Sequence, residues 1–468
     1  MKKILFIGSE ALPFVSAGGL GDVLGALPKA LLEYKLDVRV VIPLYSSISD
    51  EYRSKMKFEC SFNVKLAWRN QHCEIYSYDL NGVIYYFVDN EYYFKRQILY
   101  GCFDDGERYA YFCRAVLEML GHIGYVPDVL HANDWHSALA VIYIKRQCSA
   151  NIKTVFTIHN IEYQGIYDVS ILNDIFALNN EDKSVVEYND NINLVKGAVE
   201  CCDILTTVSK KYAEEIQYFY HSAGLNPIIA RNKDKLYGVV NGIDTSYYNP
   251  ETDSDIISCY CADDLGGKAI CKKELQKICD MKISPDLPVI SMVSRLAHHK
   301  GFDLIKCVME EFLKLDVQFV LLGTGDYEME KYFKEIARRY PEKTGIFIEY
   351  DKSFSKKIYS GSDIFLMPSK SEPCGLAQMI AARYGTVPVV HKTGGLYDTI
   401  QPFDYSKGTG NGFTFESYNA HDMLNAIKRA ISAFEQPRIW KTVMENAMKT
   451  DFSWNKSAAE YAEIYDKL

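Results

Sequence analysis

What most constrains this chain is a recurring alternation, in which short apolar runs rich in Val and Ile are separated by stretches with helical spacing. The first series comprises Ile4 to Ile7, Val38 to Ile42, Val129 to His131, Val155 to Ile158, Ile204 to Val208 and Leu236 to Val240. A second comprises Val289 to Val293, Val317 to Leu322, Ile346 to Ile348, Ile364 to Met367 and Val387 to Val390. Each series reads as βαβ units around a parallel sheet. The expected fold class is therefore α/β, with two doubly wound sheets. At 468 residues the chain exceeds the length one hydrophobic core sustains, which also favours two large domains.

The best linker candidate is the polar stretch Asn249-Pro250-Glu251-Thr252-Asp253-Ser254-Asp255, rich in turn-forming residues. The expected division is residues 1–245, residues 246–452, and a terminal segment 453–468 that packs back on the first domain as a helix. Ala458, Tyr461, Ala462 and Tyr465 carry its helical spacing. Tyrosine-rich runs within residues 58–88 alternate like antiparallel strands and predict a β-rich hairpin inserted in the first domain.

Charge excludes some functions. Fifty-two Lys and Arg against 61 Asp and Glu give a net charge of −9, which offers no general basic surface to nucleic acid or anionic lipid. Any anionic ligand must be met by a local site. The first apolar run is too short for a signal-peptide core, no run reaches membrane-spanning length, and the thirteen cysteines lack the spacing of a disulfide framework or zinc site. A cytoplasmic protein with reduced thiols is expected.

In doubly wound sheets ligands bind at the carboxyl ends of the strands, and two such domains facing each other make the cleft between them the default site. Gly18-Gly19-Leu20-Gly21-Asp22 precedes a helical pattern running from about Val23 to Glu33. Glycines at a helix start let N–H groups approach a phosphate, although an isolated Gly-Gly pair is also an ordinary turn. A dinucleotide fingerprint does not fit, because the loop begins some ten residues after its strand. A near copy, Lys392-Thr393-Gly394-Gly395-Leu396, follows the strand Val387 to Val390 and suggests a shared anion.

Arg295 ends the strand Val289 to Val293, and Lys300-Gly301 opens the next helix. A planar fork of donors and a mobile point charge suit a diphosphate leaving group, whereas two solvated surface cations are the plain alternative. In Ser371-Glu372-Pro373-Cys374-Gly375-Leu376, Pro373 fits the first turn of a helix, which sets Glu372 at a helix start. His131-Ala132-Asn133-Asp134-Trp135-His136 and His159-Asn160 end two strands of the first series. A zinc site from His131, Asp134 and His136 is conceivable, but its spacing matches no standard pattern. Asp104-Asp105-Gly106 reads as a turn or helix cap.

Taken in order, these segments resemble the bacterial glycogen synthase and plant starch synthase family. The resemblance spans nearly the whole chain, from Ser9-Glu10-Ala11-Leu12-Pro13-Phe14 through Thr157 to Gly165, Asn241-Gly242-Ile243-Asp244 and Ser294-Arg295-Leu296 to Lys392 to Leu396. It implies the GT-B architecture, two Rossmann-like domains facing a deep interdomain cleft. It implies retaining transfer of glucose from ADP-glucose to the non-reducing 4-hydroxyl of an α-1,4-glucan, with no metal or other cofactor and no nucleic-acid or membrane partner. Arg295 and Lys300 would stabilise the departing diphosphate, with Gly18 and Gly19 donating backbone N–H groups. Tyr350 would stack on the nucleotide base, while Glu372, Asp134, His159 and Asn241 hold the glucosyl unit. Ser16, Cys374, Gly375, Leu376, Gly394 and Gly395 complete the implied donor site. A retaining glycosidase needs two carboxylates about 5 Å apart. Here the leaving phosphate is the implied base in a front-face route.

This chain departs from its apparent relatives in three places. Ser16 stands where many carry lysine, Ala377 where a hydroxyl residue is common, and Lys356 where histidine is common. Ser16 removes a cation from the implied donor site, and Lys356 offsets that loss if it points inward. UDP-glucose as donor, another acceptor, or a catalytically weakened glucan-binding protein are the competing readings.

Overall fold

The structure is a computed structural model, and it describes residues 1–148 and 151–468. Two compact units result, Met1–Gly242 together with Trp454–Leu468, and Ile243–Ser453.

In the N-terminal unit, nine strands form one sheet in the order Leu236–Gly238, Ile204–Thr207, Lys153–Ile158, Val129–Asn133, Lys3–Ile7, Asp37–Pro43, Val83–Asp89, Arg69–Leu80 and Lys57–Leu66. The first seven are parallel. Ile4, Leu5, Phe6 and Ile7 are completely buried, as expected of a central strand covered by helices on both faces. The tyrosine-rich segment forms the expected antiparallel strands within this unit, and they are continuous with the main sheet. Its strand Val83–Asp89 pairs parallel with Asp37–Pro43, so Arg69–Leu80 and Lys57–Leu66 extend the main sheet as an antiparallel edge. Chain order reverses between Lys3–Ile7 and Val129–Asn133, whose register sets Ile7 beside Ala132. Loops leaving two neighbouring strands there diverge to opposite sides, which opens a crevice at their carboxyl ends.

The terminal helix Trp454–Asp466 packs on the helix Gly19–Leu31. Its Tyr465 hydroxyl meets Nδ1 of His131 at 2.7 Å, and Ser457 donates to the Val240 carbonyl at 2.6 Å. Helix Gly19–Leu31 begins four residues earlier than the apolar spacing suggests, because Gly18 takes the extended N-cap conformation itself.

The C-terminal unit carries six parallel strands in the order Thr344–Phe347, Gln318–Leu322, Val289–Val293, Ile364–Met367, Val387–His391 and Phe413–Phe415. Its switch point lies between Val289–Val293 and Ile364–Met367. Phe302, Phe312, Phe319 and Phe333 pack one face of this sheet. The polar stretch at 249–255 is not a free linker. It folds into this unit, where buried Asp253 takes the Lys356 ammonium at 3.1 Å and the Tyr384 hydroxyl. Turn-forming composition does not distinguish a linker from a loop tied down by such partners. Among the described residues, no helix is long and apolar enough to cross a membrane.

Candidate active site

At the switch point of the N-terminal unit, three strand ends are brought side by side. The glycine loop follows Lys3–Ile7, Asp134 follows Val129–Asn133, and His159 follows Lys153–Ile158. Ser16, Ala17, Gly18 and Gly19 are exposed, and a side chain at Gly18 or Gly19 would meet only open space. These two glycines therefore answer to no packing demand within the fold. Gly21 does, since a Cβ there would run into Ser16. Ser16 closes the loop by donating from Oγ to the Gly18 carbonyl at 3.0 Å.

Asp134 has φ 57° and ψ 178°, a conformation that costs a non-glycine residue energy and recurs at functional sites. Two bonds hold it there. Its N–H donates to the Thr157 carbonyl at 2.9 Å, and its Oδ1 accepts the His159 N–H at 2.8 Å. Burial raises its carboxyl to about 7, against the lowering effect of the His159 and Asn160 N–H groups. Asn133 sends its Nδ2 to the Ile7 carbonyl at 3.1 Å, so its Oδ1 is left to accept from Nε2 of His159 at 2.9 Å. His159 is then the Nε2–H tautomer with Nδ1 as an acceptor, and burial depresses its pKa to about 3. It is a neutral hydrogen-bonding group at physiological pH. Asn241, just beyond Leu236–Gly238, is buried with its Oδ1 unpartnered among the described residues.

The zinc arrangement is not formed. Both ring nitrogens of His131 are taken, by the hydroxyls of Tyr465 and Thr157, and His136 lies among the rings of Tyr100, Tyr109 and Trp135. Asp104 caps the helix Asp105–His122 by position, while Asp105 accepts from the Gly101 and Cys102 N–H groups and pairs with Arg108.

In the C-terminal unit, Lys300 lies in a 3-10 turn after Val289–Val293, and Glu372 in the loop after Ile364–Met367. Their side chains meet at 2.7 Å, both largely buried. The Ser369 hydroxyl also donates to the same Glu372 oxygen, at 2.9 Å. The two loops are sewn together by the Lys370 N–H on the His299 carbonyl at 2.8 Å. Gly301 permits this approach, as its φ is 79° and any Cβ would clash with the Pro368 carbonyl. Arg295, two residues beyond Val289–Val293, is exposed, and its guanidinium has no partner among the described residues.

Three expectations about this half need correction. Glu372 is not at a helix start: Gly375 turns left-handed at φ 74°, and the helix begins at Ala377 with Leu376 as its N-cap. Gly394-Gly395 is not a second open phosphate loop. Both glycines are buried, a Cβ on either would clash with the Glu372 or Cys374 carbonyl, and the Gly395 N–H already donates to Glu372 O at 3.0 Å. They are what lets the chain close tightly beneath Glu372, with Cys374 buried there. Lys356 does not supply a spare cation, because Asp253 and Asp255 bind it at 3.1 and 3.0 Å. Tyr350 stands beyond Thr344–Phe347 with its ring 79% exposed, a free aromatic face at the sheet's carboxyl edge.

Sequence reasoning singled out neither Glu10 nor Ser369 as a site residue. Glu10 is 3% exposed, and its Oε2 accepts the N–H groups of Ala17 and, at 3.3 Å, Gly18. Its signals were a carboxylate three residues beyond the buried strand Lys3–Ile7 and its place in the Ser9 to Phe14 run that carries the resemblance.

The family model described as "Starch synthase catalytic domain" matches residues 3–231, and that described as "Glycosyl transferases group 1" matches residues 278–445. The chain is 45% identical to glycogen synthase of Bacillus cereus (strain Q1), covering 100% of this chain and 99% of that one. It is 46% identical to glycogen synthase of Desulforamulus reducens, covering 100% and 98%. The catalytic domain of starch synthase IV from Arabidopsis thaliana, solved with ADP and acarbose, superimposes with a TM-score of 0.91 at 31% identity, covering 100% of this chain and 99% of that one. Sucrose-phosphate synthase from Thermosynechococcus elongatus, at 16% identity and a TM-score of 0.64, shares the fold. Two units, each built on a parallel sheet with a switch point in its strand order, and these likenesses define a glycosyltransferase of the GT-B fold. The chain belongs to the glycogen synthase family.

Proposed function

We propose that the enzyme transfers glucose from ADP-glucose to the non-reducing 4-hydroxyl of an α-1,4-glucan, with retention at the anomeric carbon and release of ADP. The observation that carries this reading is the largely buried Lys300–Glu372 pair, whose lysine follows the same strand end as the exposed Arg295. Two cations at one switch point suit the charge that develops on a departing diphosphate. Glu372 holds the Lys300 ammonium in place, and its remaining oxygen is an acceptor for a sugar hydroxyl. Gly18 and Gly19 offer backbone N–H groups at a helix start, where the helix dipole favours an anion.

The departing phosphate oxygen takes the proton of the attacking 4-hydroxyl on the same face of the sugar, which gives retention without a protein nucleophile. Asp134, His159 and Asn241 orient the glucosyl unit; His159, held neutral, does so by hydrogen bonding and not by charge. Tyr350 presents its exposed ring to the adenine. Cys374, Gly375 and Leu376 shape the donor site beneath Glu372. Thirteen free thiols support a cytoplasmic setting.

ADP and acarbose are the ligands of the Arabidopsis starch synthase IV structure, which supports a nucleotide-sugar donor and a glucan acceptor here. Ser16 leaves the loop without a cation, and that favours keeping UDP-glucose as the second reading. The test is purified enzyme with glycogen and each nucleotide sugar. Preferential ADP release from ADP-glucose is expected; faster turnover of UDP-glucose would overturn the donor assignment.

A further inference from the structure

The Gly18 N–H is already engaged. It shares the buried Glu10 carboxylate with the N–H of Ala17, so the group assigned above to the donor's diphosphate is occupied by an anion of the protein's own. Glu10 lies three residues beyond the central strand Lys3–Ile7, next to Ser9, whose hydroxyl bonds Tyr100 at 2.8 Å. The titratable groups that act on Glu10 or feel its charge are Asp22, Tyr100, Asp134 and Tyr45. None is a cation, and the loop position nearest the amides is Ser16. Among the described residues, the carboxylate is held by the N–H groups of Ala17 and Gly18 and the Tyr100 hydroxyl.

A diphosphate arriving at the same amides sets two anions against one set of donors. The carboxylate is the weaker competitor, since a proton from solvent can neutralise it where it stands. We propose that Glu10 is a positioning residue that holds the glycine loop ready in the empty enzyme, and that binding of a nucleoside diphosphate at the loop is coupled to uptake of a proton from solvent by Glu10. Burial already raises Glu10 to about 7, so the uptake falls in the neutral range. The proposal rests on the reading that the Gly18 loop meets the diphosphate.

The test is calorimetric titration of ADP into full-length enzyme at pH 6.5 to 8.5, in buffers of differing ionisation enthalpy. ADP's own phosphate titrates in this range, so the measured quantity is the wild-type proton count minus that of Glu10→Gln. A one-unit rise in the Glu10 pKa on binding gives a difference of about half a proton near pH 7.5. ADP binding with the same proton count in both proteins overturns the proposal. If Glu10→Gln does not fold, wild type alone decides: no change in the bound proton count across this range, beyond release by ADP itself, overturns it. A structure of the ADP complex separates the underlying reading. ADP bound with its diphosphate away from the Gly18 N–H would sink the loop assignment itself; ADP on that N–H with the same proton count in wild type and Glu10→Gln would sink only the coupling.

Discussion

Lys300 and Glu372 lie 72 residues apart in sequence and 2.7 Å apart in space, and each is the other's ion-pair partner. Removing either leaves a largely buried charge uncompensated, which costs about 3–5 kcal/mol when a buried pair is broken on one side. Lys300→Ala and Glu372→Ala should each lower the melting temperature of the C-terminal unit and cut kcat at least about tenfold, the scale of one lost transition-state contact. The double variant should melt closer to wild type than the two single losses added together. Near-normal kcat in either single variant would refute its role, and additive melting shifts would refute the coupling.

Gly18 and Gly395 provide a contrast between a glycine open to solvent, proposed above to meet the donor, and one closed in by packing. Gly18→Ala should keep the wild-type melting temperature and raise KM for the donor. Gly395→Ala forces a methyl into the Cys374 carbonyl and should lower the melting temperature, with overpacking typically costing about 1–3 kcal/mol. Thermal melts paired with donor kinetics separate the two, and the reverse pattern would exclude the distinction.

Ser16 is exposed on the glycine loop, so a longer side chain is accommodated there. Ser16→Lys should lower KM for ADP-glucose about threefold or more at low ionic strength, an effect of one added point charge near a diphosphate that salt screens. A KM that does not move, or moves equally at high salt, would show that this position does not face the donor.

Acid sensitivity follows from buried histidines. His131, His136 and His159 are each depressed by burial to about 3. Their ordinary value is near 6.5, so unfolding takes up protons between those limits. The stability they hold above pH 6.5 is lost as pH falls. Glu10 and Asp134, both raised to about 7, act in the opposite sense between about pH 4 and 7, leaving three groups against two. His136→Phe removes one of the three from a site already lined by Tyr100, Tyr109 and Trp135. The decline in melting temperature from pH 7 to 4.5 should become shallower, by up to about 1.4 kcal/mol per pH unit in free energy. An unchanged decline would remove His136 from this account.

Tyr350 tests the exposed end of the site. Tyr350→Ala deletes a ring that is 79% exposed, so the melting temperature should stay within the small range of surface substitutions. KM for the donor should rise with little change in kcat, the signature of lost uniform binding. A fall in kcat alone would contradict a stacking role.

Much of this protein was set by local pattern. Buried parallel strands announce themselves as short apolar runs, and residues that closely follow them must lie at the carboxyl edge, so the place of Arg295, Asp134 and His159 at that edge was legible from position alone. The limits of such reading are equally specific. Gly18-Gly19 and Gly394-Gly395 look alike in sequence, yet one pair is open to solvent and the other is closed against the Glu372 and Cys374 carbonyls. Lys356 read as a spare cation until Asp253 and Asp255, about a hundred residues earlier, were found holding it. Pairings of this kind are decided by strand order, which sets the Lys300 turn beside Glu372. Periodicity fixes which face of an element is buried; only the assembled sheet fixes which charges share that burial, because their pairing depends on neighbours remote in the chain.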